Sequence, residues 1–201
     1  MSQPGAATLG EASRRALDCR MCDLWRCGYR TVFGVGDPQA RLMVVGEAPS
    51  ESDDRTGEPF SGPSGTVLDD WLDELGLSRR EVWLTNVVKH RPTVEQHGRE
   101  TNRPPRVGEM RACRPWLDLE LAQVQPQIIL ALGGTAGKAL LGKTFKITQQ
   151  RGTLLWTPKG LSVLATLHPA YLLRLESPEL QAAEQLVRQD LARVKQELAT
   201  S

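Results

Sequence analysis

Short apolar runs alternate along this chain with stretches of helical periodicity, and that alternation leaves few architectures open. Residues 41–46 (R-L-M-V-V-G) read as a buried strand. Residues 64–75 place Val67, Leu68, Trp71, Leu72 and Leu75 at helical spacing, with Gly76 as the stop. A second strand is expected over 82–88, a helix over 107–124 ended by Pro126, a third strand over 128–132, and a helix over 135–141 behind the Gly133-Gly134 turn. Two more strands are expected at 154–156 and 162–166, and a long amphipathic helix at 177–198. Strands alternating with helices predict an α/β fold, with a parallel or mostly parallel sheet covered on both faces. Such sheets bind ligands outside the carboxyl ends of their strands. The segments to search for chemistry are therefore 47–65, 89–106, Gly133-Gly134 and everything from His168 onward.

With 201 residues, 40% hydrophobic and 24% charged, the chain suits one globular domain over 11–201. Residues 1–10 are small and polar and are expected to be a disordered tail, with a short helix over 11–18 behind it. No stretch approaches the roughly 18 apolar residues of a membrane span. The first thirty residues carry Glu11, Arg14, Arg15 and Asp18 where a secretory leader needs an apolar run, so a cytoplasmic protein is expected. The formal net charge of +1 hides an asymmetry. Residues 89–114 hold seven basic side chains (Lys89, Arg91, Arg99, Arg103, Arg106, Arg111, Arg114) against Glu95, Glu100 and Glu109. That stretch suits a polyanion partner, and equally a solvated loop. Its prolines, Gly98 and many charges predict a loop over 89–106.

Four cysteines are present: Cys19, Cys22, Cys27 and Cys113. The Cys19-x-x-Cys22 pair brings two thiols close enough to share a metal or cluster, and a structural disulfide is not expected in a cytosolic chain. Zinc, an iron–sulfur cluster and a redox pair all remain open. The redox pair is disfavoured because it normally sits after a strand, whereas this one precedes the first. If Cys113 joins the pair, the N-terminal segment is pinned to the helix that carries it. Cys27 and His90 compete as the fourth ligand. A second motif leads nowhere: Gly133-Gly-Thr-Ala-Gly137-Lys138-Ala139 has one residue too few between glycines, and Ala139 stands where a phosphate loop needs a hydroxyl.

Four segments in order decide the reading: Gly46-Glu-Ala-Pro-Ser50, Thr56-Gly-Glu-Pro-Phe60-Ser-Gly-Pro-Ser-Gly65, Asn86-Val-Val-Lys-His-Arg-Pro92 and His168-Pro-Ala-Tyr-Leu-Leu-Arg174. Together with the cysteine frame, they resemble the family 4 uracil-DNA glycosylases, from about Cys19 to about Arg174. The resemblance implies a three-layer α/β/α fold around a mostly parallel four-stranded sheet, a 4Fe-4S cluster, and hydrolysis of the N-glycosidic bond of uracil in DNA. The implied partner is uracil-containing DNA, bound by a monomer with no membrane association.

The resemblance also implies roles. The target base must leave the helix stack to be reached. Phe60 matches the stacking residue, and stacking on an aromatic side chain contributes about 1–3 kcal/mol. Asn86 matches the residue that reads the base edge, since one carboxamide offers both a donor and an acceptor. His168 matches the donor that meets charge developing on uracil O2. Glu47 and Asp53 match acidic positions near the sugar and pocket, flanked by Ala48 and Ser50. Asn102 matches a residue that orients water or the flipped nucleotide. A related branch that cross-links covalently to uracil-containing DNA has histidine there, so Asn102 implies ordinary turnover. Leu172, Leu173 and Arg174 match a loop that presses into the gap left by the base, a leucine acting as wedge and the arginine contacting phosphate or the gap, and Arg91 and Arg103 are expected on the DNA backbone. Two departures stand out: Ser50 replaces a usual glycine, and His90 replaces the third cysteine. The implied cluster ligands are therefore Cys19, Cys22, His90 and Cys113, with Cys27 spare. Two rivals remain open: a uracil-DNA trapping protein with little turnover, and a non-catalytic metal-stabilised DNA-binding module.

Overall fold

Four of the apolar runs lie side by side because each is buried on both faces, which only a sheet covered by helices permits. The structure, a computed structural model, describes residues 8–200. In chain order its elements are α1 (Leu9–Ala16), a 3-10 turn (Asp23–Arg26), β1 (Val35–Gly36), β2 (Leu42–Gly46), α2 (Glu51–Thr56), α3 (Pro63–Leu75), β3 (Val82–Asn86), β4 (Thr93–Gln96), β5 (Arg99–Asn102), α4 (Val107–Val124), β6 (Ile128–Leu132), α5 (Gly133–Leu141), α6 (Ile147–Gln150), β7 (Leu154–Trp156), β8 (Ser162–Thr166), α7 (Pro169–Leu172) and α8 (Glu179–Ala199). The main sheet runs β1-β3-β2-β6-β8-β7. Its four inner strands are parallel, as expected. The short edge strands β1 and β7 pair antiparallel and extend the sheet to six.

Side chains along each inner strand alternate between two cores. Met43, Val45, Ile129 and Ala131 face a layer built with Ala12, Trp116, Leu117, Ala136 and Leu140. Leu42, Val44, Ile128 and Leu130 face Leu68, Trp71, Leu72, Val187 and Leu191 on the other side. This is the expected three-layer α/β/α arrangement. From β2 the chain passes to β3 on one side and then returns past it to β6 on the other. That reversal opens a crevice at the carboxyl ends of β2 and β6.

Three expectations change at their edges. The Thr8 hydroxyl accepts from the Glu11 amide at 3.3 Å, so α1 starts at Leu9 and takes in two residues of the supposed tail; residues 1–7 lie outside the described residues. β3 stops at Asn86, because the Val87 amide turns to donate to the Gly46 carbonyl at 2.9 Å. The expected loop over 89–106 contains the β4–β5 hairpin, closed at His97-Gly98 with φ of 53° and 73°. A two-residue turn of this hand needs positive φ at both centres, which glycine adopts freely and histidine tolerates. Among the described residues no helix is long and apolar enough to cross a membrane.

Candidate active site

The crevice deepens into a cavity of about 460 Å³. Glu47, Ala48, Ser50 and Asp53 enter it from the end of β2 and the start of α2, and Phe60 from the loop before α3. Asn102 and Arg103 enter from the end of β5, Gly133 and Gly134 from the β6–α5 joint, and His168 and Arg174 from the segment after β8. Residues up to 127 positions apart in sequence thus converge because four strand ends share one edge of the sheet.

Phe60 is held in an unusual backbone state. Its φ is 58°, a left-handed conformation that costs a bulky residue about 1–3 kcal/mol. The Arg79 guanidinium donates to its carbonyl at 2.7 Å while pairing with Asp69. The Asp53 carboxylate takes the Ser61 amide at 2.7 Å, the Ser61 hydroxyl at 3.0 Å and the Ser50 amide at 2.8 Å. Asp53 therefore closes the cap of α2 and ties it to the Phe60 loop. Both of its oxygens accept hydrogen bonds from this framework, which fixes the carboxylate at the cavity wall.

Asn86, 2% exposed, ends β3 directly behind Gly46. A Cβ on Gly46 would stand 2.3 Å from Asn86 Oδ1 and 2.7 Å from Phe60 Cζ, so only glycine lets the amide and the ring meet. Asn86 Nδ2 is buried and has no hydrogen-bond partner among the described residues. An unpaired buried donor costs about 1–3 kcal/mol; among the described residues Trp83 Nε1 is the other such side-chain atom.

His168 precedes α7, and its Nδ1 accepts the Ala170 amide at 3.1 Å. That bond leaves the ring proton on Nε2. Burial lowers its pKa to about 4, helped by the Arg174 cation and opposed by Asp53. At neutral pH the ring is uncharged and presents an N–H donor. Glu47 is half-buried; its backbone carbonyl accepts the Val88 amide at 3.3 Å, while its carboxylate makes no hydrogen bond or ion pair among the described residues.

A sequence profile of the uracil DNA glycosylase superfamily matches residues 33–192. The chain belongs to that superfamily. A Type-4 uracil-DNA glycosylase of Thermotoga maritima is 37% identical over 184 residues, 91% of this chain and 91% of its own length. The Sulfurisphaera tokodaii Type-4 uracil-DNA glycosylase is 35% identical over 197 residues, 94% of this chain and 84% of its own. A Type-5 uracil-DNA glycosylase of Thermus thermophilus is 35% identical over 127 residues, 56% of this chain and 54% of its own.

Several residues expected at the DNA contact of this superfamily chain have other work. Arg91 is 5% exposed; its Nε donates to Asn102 Oδ1 at 2.6 Å and its head lies 3.5 Å from Glu51, so it is an internal strut. Arg103 lines the cavity, but both ends of its fork hold Glu109, at 2.8 and 2.6 Å, and its Nε holds the Thr93 carbonyl. Leu172 is 5% exposed within the second core, and the neighbouring Leu173 is 51% exposed. Lys89, counted above in the basic stretch, is fully buried against Glu120 at 2.6 Å. Sequence reading missed that pair; its only signal was one charge closing the apolar run Val87-Val88.

The thiols gather in part. Trp116 Nε1 donates to Cys19 Sγ at 3.3 Å, and the Lys89 amide donates to Cys113 Sγ at 3.2 Å. Burial pushes the Cys113 thiol up to about 12, and the nearby Cys22 and Cys19 push the same way. Of the two candidates for a fourth ligand, the buried His90 shares a 2.9 Å hydrogen bond between Nε2 and the Thr31 hydroxyl, and Cys27 Sγ lies 3.9 Å from the Asp23 carbonyl. Among the described residues no three potential ligands already form a metal site. Three sulfurs with N–H donors aimed at two of them fit a thiolate-bound cluster in kind.

Proposed function

We propose that this chain is a monofunctional uracil-DNA glycosylase that hydrolyses the N-glycosidic bond of deoxyuridine in DNA and leaves an abasic site. One observation carries the reading: the buried Asn86 amide, whose Nδ2 has no partner among the described residues and whose Oδ1 faces Gly46 beside the ring of Phe60, a residue of the cavity wall. The names of the relatives support it. A flipped uracil stacks on Phe60, Asn86 Nδ2 donates to O4, and Oδ1 accepts from N3–H. Cytosine presents a donor and an acceptor in the opposite order and leaves both buried groups unpaired. As the C1′–N1 bond breaks, the electron pair moves into the base and His168 Nε2–H stabilises the charge on O2. A neutral donor suits this step, because it needs no proton transfer. Water adds its oxygen to C1′ of the oxocarbenium-like sugar and gives up a proton, which the departing uracil anion ultimately takes. The uncommitted Glu47 carboxylate faces that cation and its water.

Uracil-containing DNA is the partner, and the cavity is complete within one chain, which favours a monomer. Arg174 at the rim and the exposed Leu173 take the contacts with the backbone and the gap. A 4Fe-4S cluster, held by Cys19, Cys22, Cys113 and His90, would pin the N-terminal segment to α4. When bound, it supplies structural cross-linking. Asn102 gives its carbonyl oxygen to Arg91 and offers no nucleophile, which favours turnover over trapping.

The test is a single-uracil oligonucleotide incubated with the protein and run on a denaturing gel, with and without hot alkali. Scission only after alkali is expected. A slow band that survives denaturation overturns the hydrolytic reading in favour of covalent trapping, and an intact strand overturns it outright.

A further inference from the structure

Behind the cavity lies a buried charge that the reaction above does not use. The Lys89 ammonium has three N–H donors, and all three are engaged. They reach Thr85 Oγ1 at 2.5 Å, Glu120 Oε2 at 2.6 Å and the backbone carbonyl of Asn86 at 2.8 Å. Glu120 also takes the Thr85 hydroxyl and the Gly34 amide, so the carboxylate is satisfied. Lys89 and Glu120 side chains are both 0% exposed. Lys89 is fully buried and is not among the residues that line the cavity.

Such a pair is a poor stabiliser, because the cost of taking two charges out of water rivals their attraction, and packed apolar side chains serve a core as well. What the pair does here is local. Asn86 is the last residue of β3, and the chain leaves the sheet just beyond it. Its carbonyl accepts a hydrogen bond from Lys89 Nζ. Fixing that carbonyl fixes the peptide plane from which the Asn86 side chain projects. The Lys89 amide is itself anchored to Cys113 Sγ and its carbonyl to the Val32 amide at 2.7 Å. Cys113 and Glu120 lie on one helix, α4, two turns apart.

We propose that Lys89, paired with Glu120, is a positioning residue that holds Asn86 in register to read the base. The inference rests on Asn86 being the uracil reader. Removing the pair should misplace the carboxamide without weakening the grip on DNA.

The test is the double variant Lys89→Met/Glu120→Gln. It leaves no unpaired charge, and Gln keeps an acceptor for Gly34 and Thr85. Melting reports folding, and three functional readouts follow: single-turnover excision, affinity for free uracil, and affinity for DNA bearing an abasic site. A misplacement of about 1 Å can cost about a hundredfold in rate, so excision and uracil affinity should each fall at least about tenfold, with abasic-DNA affinity unchanged. A folded variant with excision and uracil affinity both near wild type overturns the proposal. Asn86→Leu is run alongside. If that variant keeps uracil affinity, the reader assignment fails; if it loses affinity while the double variant does not, only the role of Lys89 fails. A second measurement needs no variant: in wild-type protein, saturating uracil should shift the Lys89 ammonium and Asn86 carbonyl NMR resonances together. Unmoved resonances overturn the proposal, whether or not the double variant folds.

Discussion

Replacing Asn86 by leucine should make the protein more stable and nearly inactive at once. Leucine has the branching of asparagine, with methyl groups where the oxygen and nitrogen stand. In the ligand-free protein Nδ2 is buried and unpaired, which costs about 1–3 kcal/mol. The substitution removes that cost and adds apolar area beside Phe60. For a chain of 201 residues, one kcal/mol moves Tm by about 2–4 °C. A rise on the order of 5 °C is expected. Saturating uracil at about 100 times its Kd stabilises wild type by about 2.7 kcal/mol, and the variant should gain nothing. Excision should fall by roughly two orders of magnitude, because two hydrogen bonds to the base vanish and the base edge is left unpaired, together about 3 kcal/mol. The assay is thermal denaturation of both proteins with and without uracil, paired with single-turnover excision. The reasoning is refuted if ligand-free Asn86→Leu melts below wild type, or if uracil still raises its Tm.

Two other outcomes follow from the site. His168 donates as the neutral ring, and burial holds its pKa at about 4, so protonation begins to disable it only as pH falls toward that value. Single-turnover excision should therefore stay level as pH drops through the ordinary histidine range near 6.5, and an acid limb there would contradict the neutral state of the buried ring. Iron content tests the thiols: anaerobically purified wild type should carry iron and sulfide, Cys113→Ser should lose them and Cys27→Ser should keep them, and equal iron in wild type and Cys113→Ser would remove Cys113 from the ligand set.

The sheet was legible because its strands are buried on both faces, so their apolar runs are unbroken and their helices show ordinary periodicity. The four motif segments were legible because each follows a strand, where this fold puts its chemistry. Glu47, Phe60, Asn86 and His168 accordingly lie together at one edge. What the sequence could not assign is which charges face water. Arg91, Arg103 and Lys89 look identical in composition to surface cations, yet each finds a carboxylate from an element remote in sequence or across a turn: Glu51, Glu109 and Glu120. Likewise Leu172 and Leu173 are the same residue type side by side, and one helical step of about 100° sends the first into the core and the second outward. The strained φ of Phe60, the unpaired Nδ2 of Asn86 and the tautomer of His168 are equally invisible in one dimension. Local pattern determined the elements and their order, since hydrophobic period is a property of neighbours along the chain. Partnership and burial were decided only when the chain closed, since both depend on what residues far apart in sequence bring to the same few ångströms.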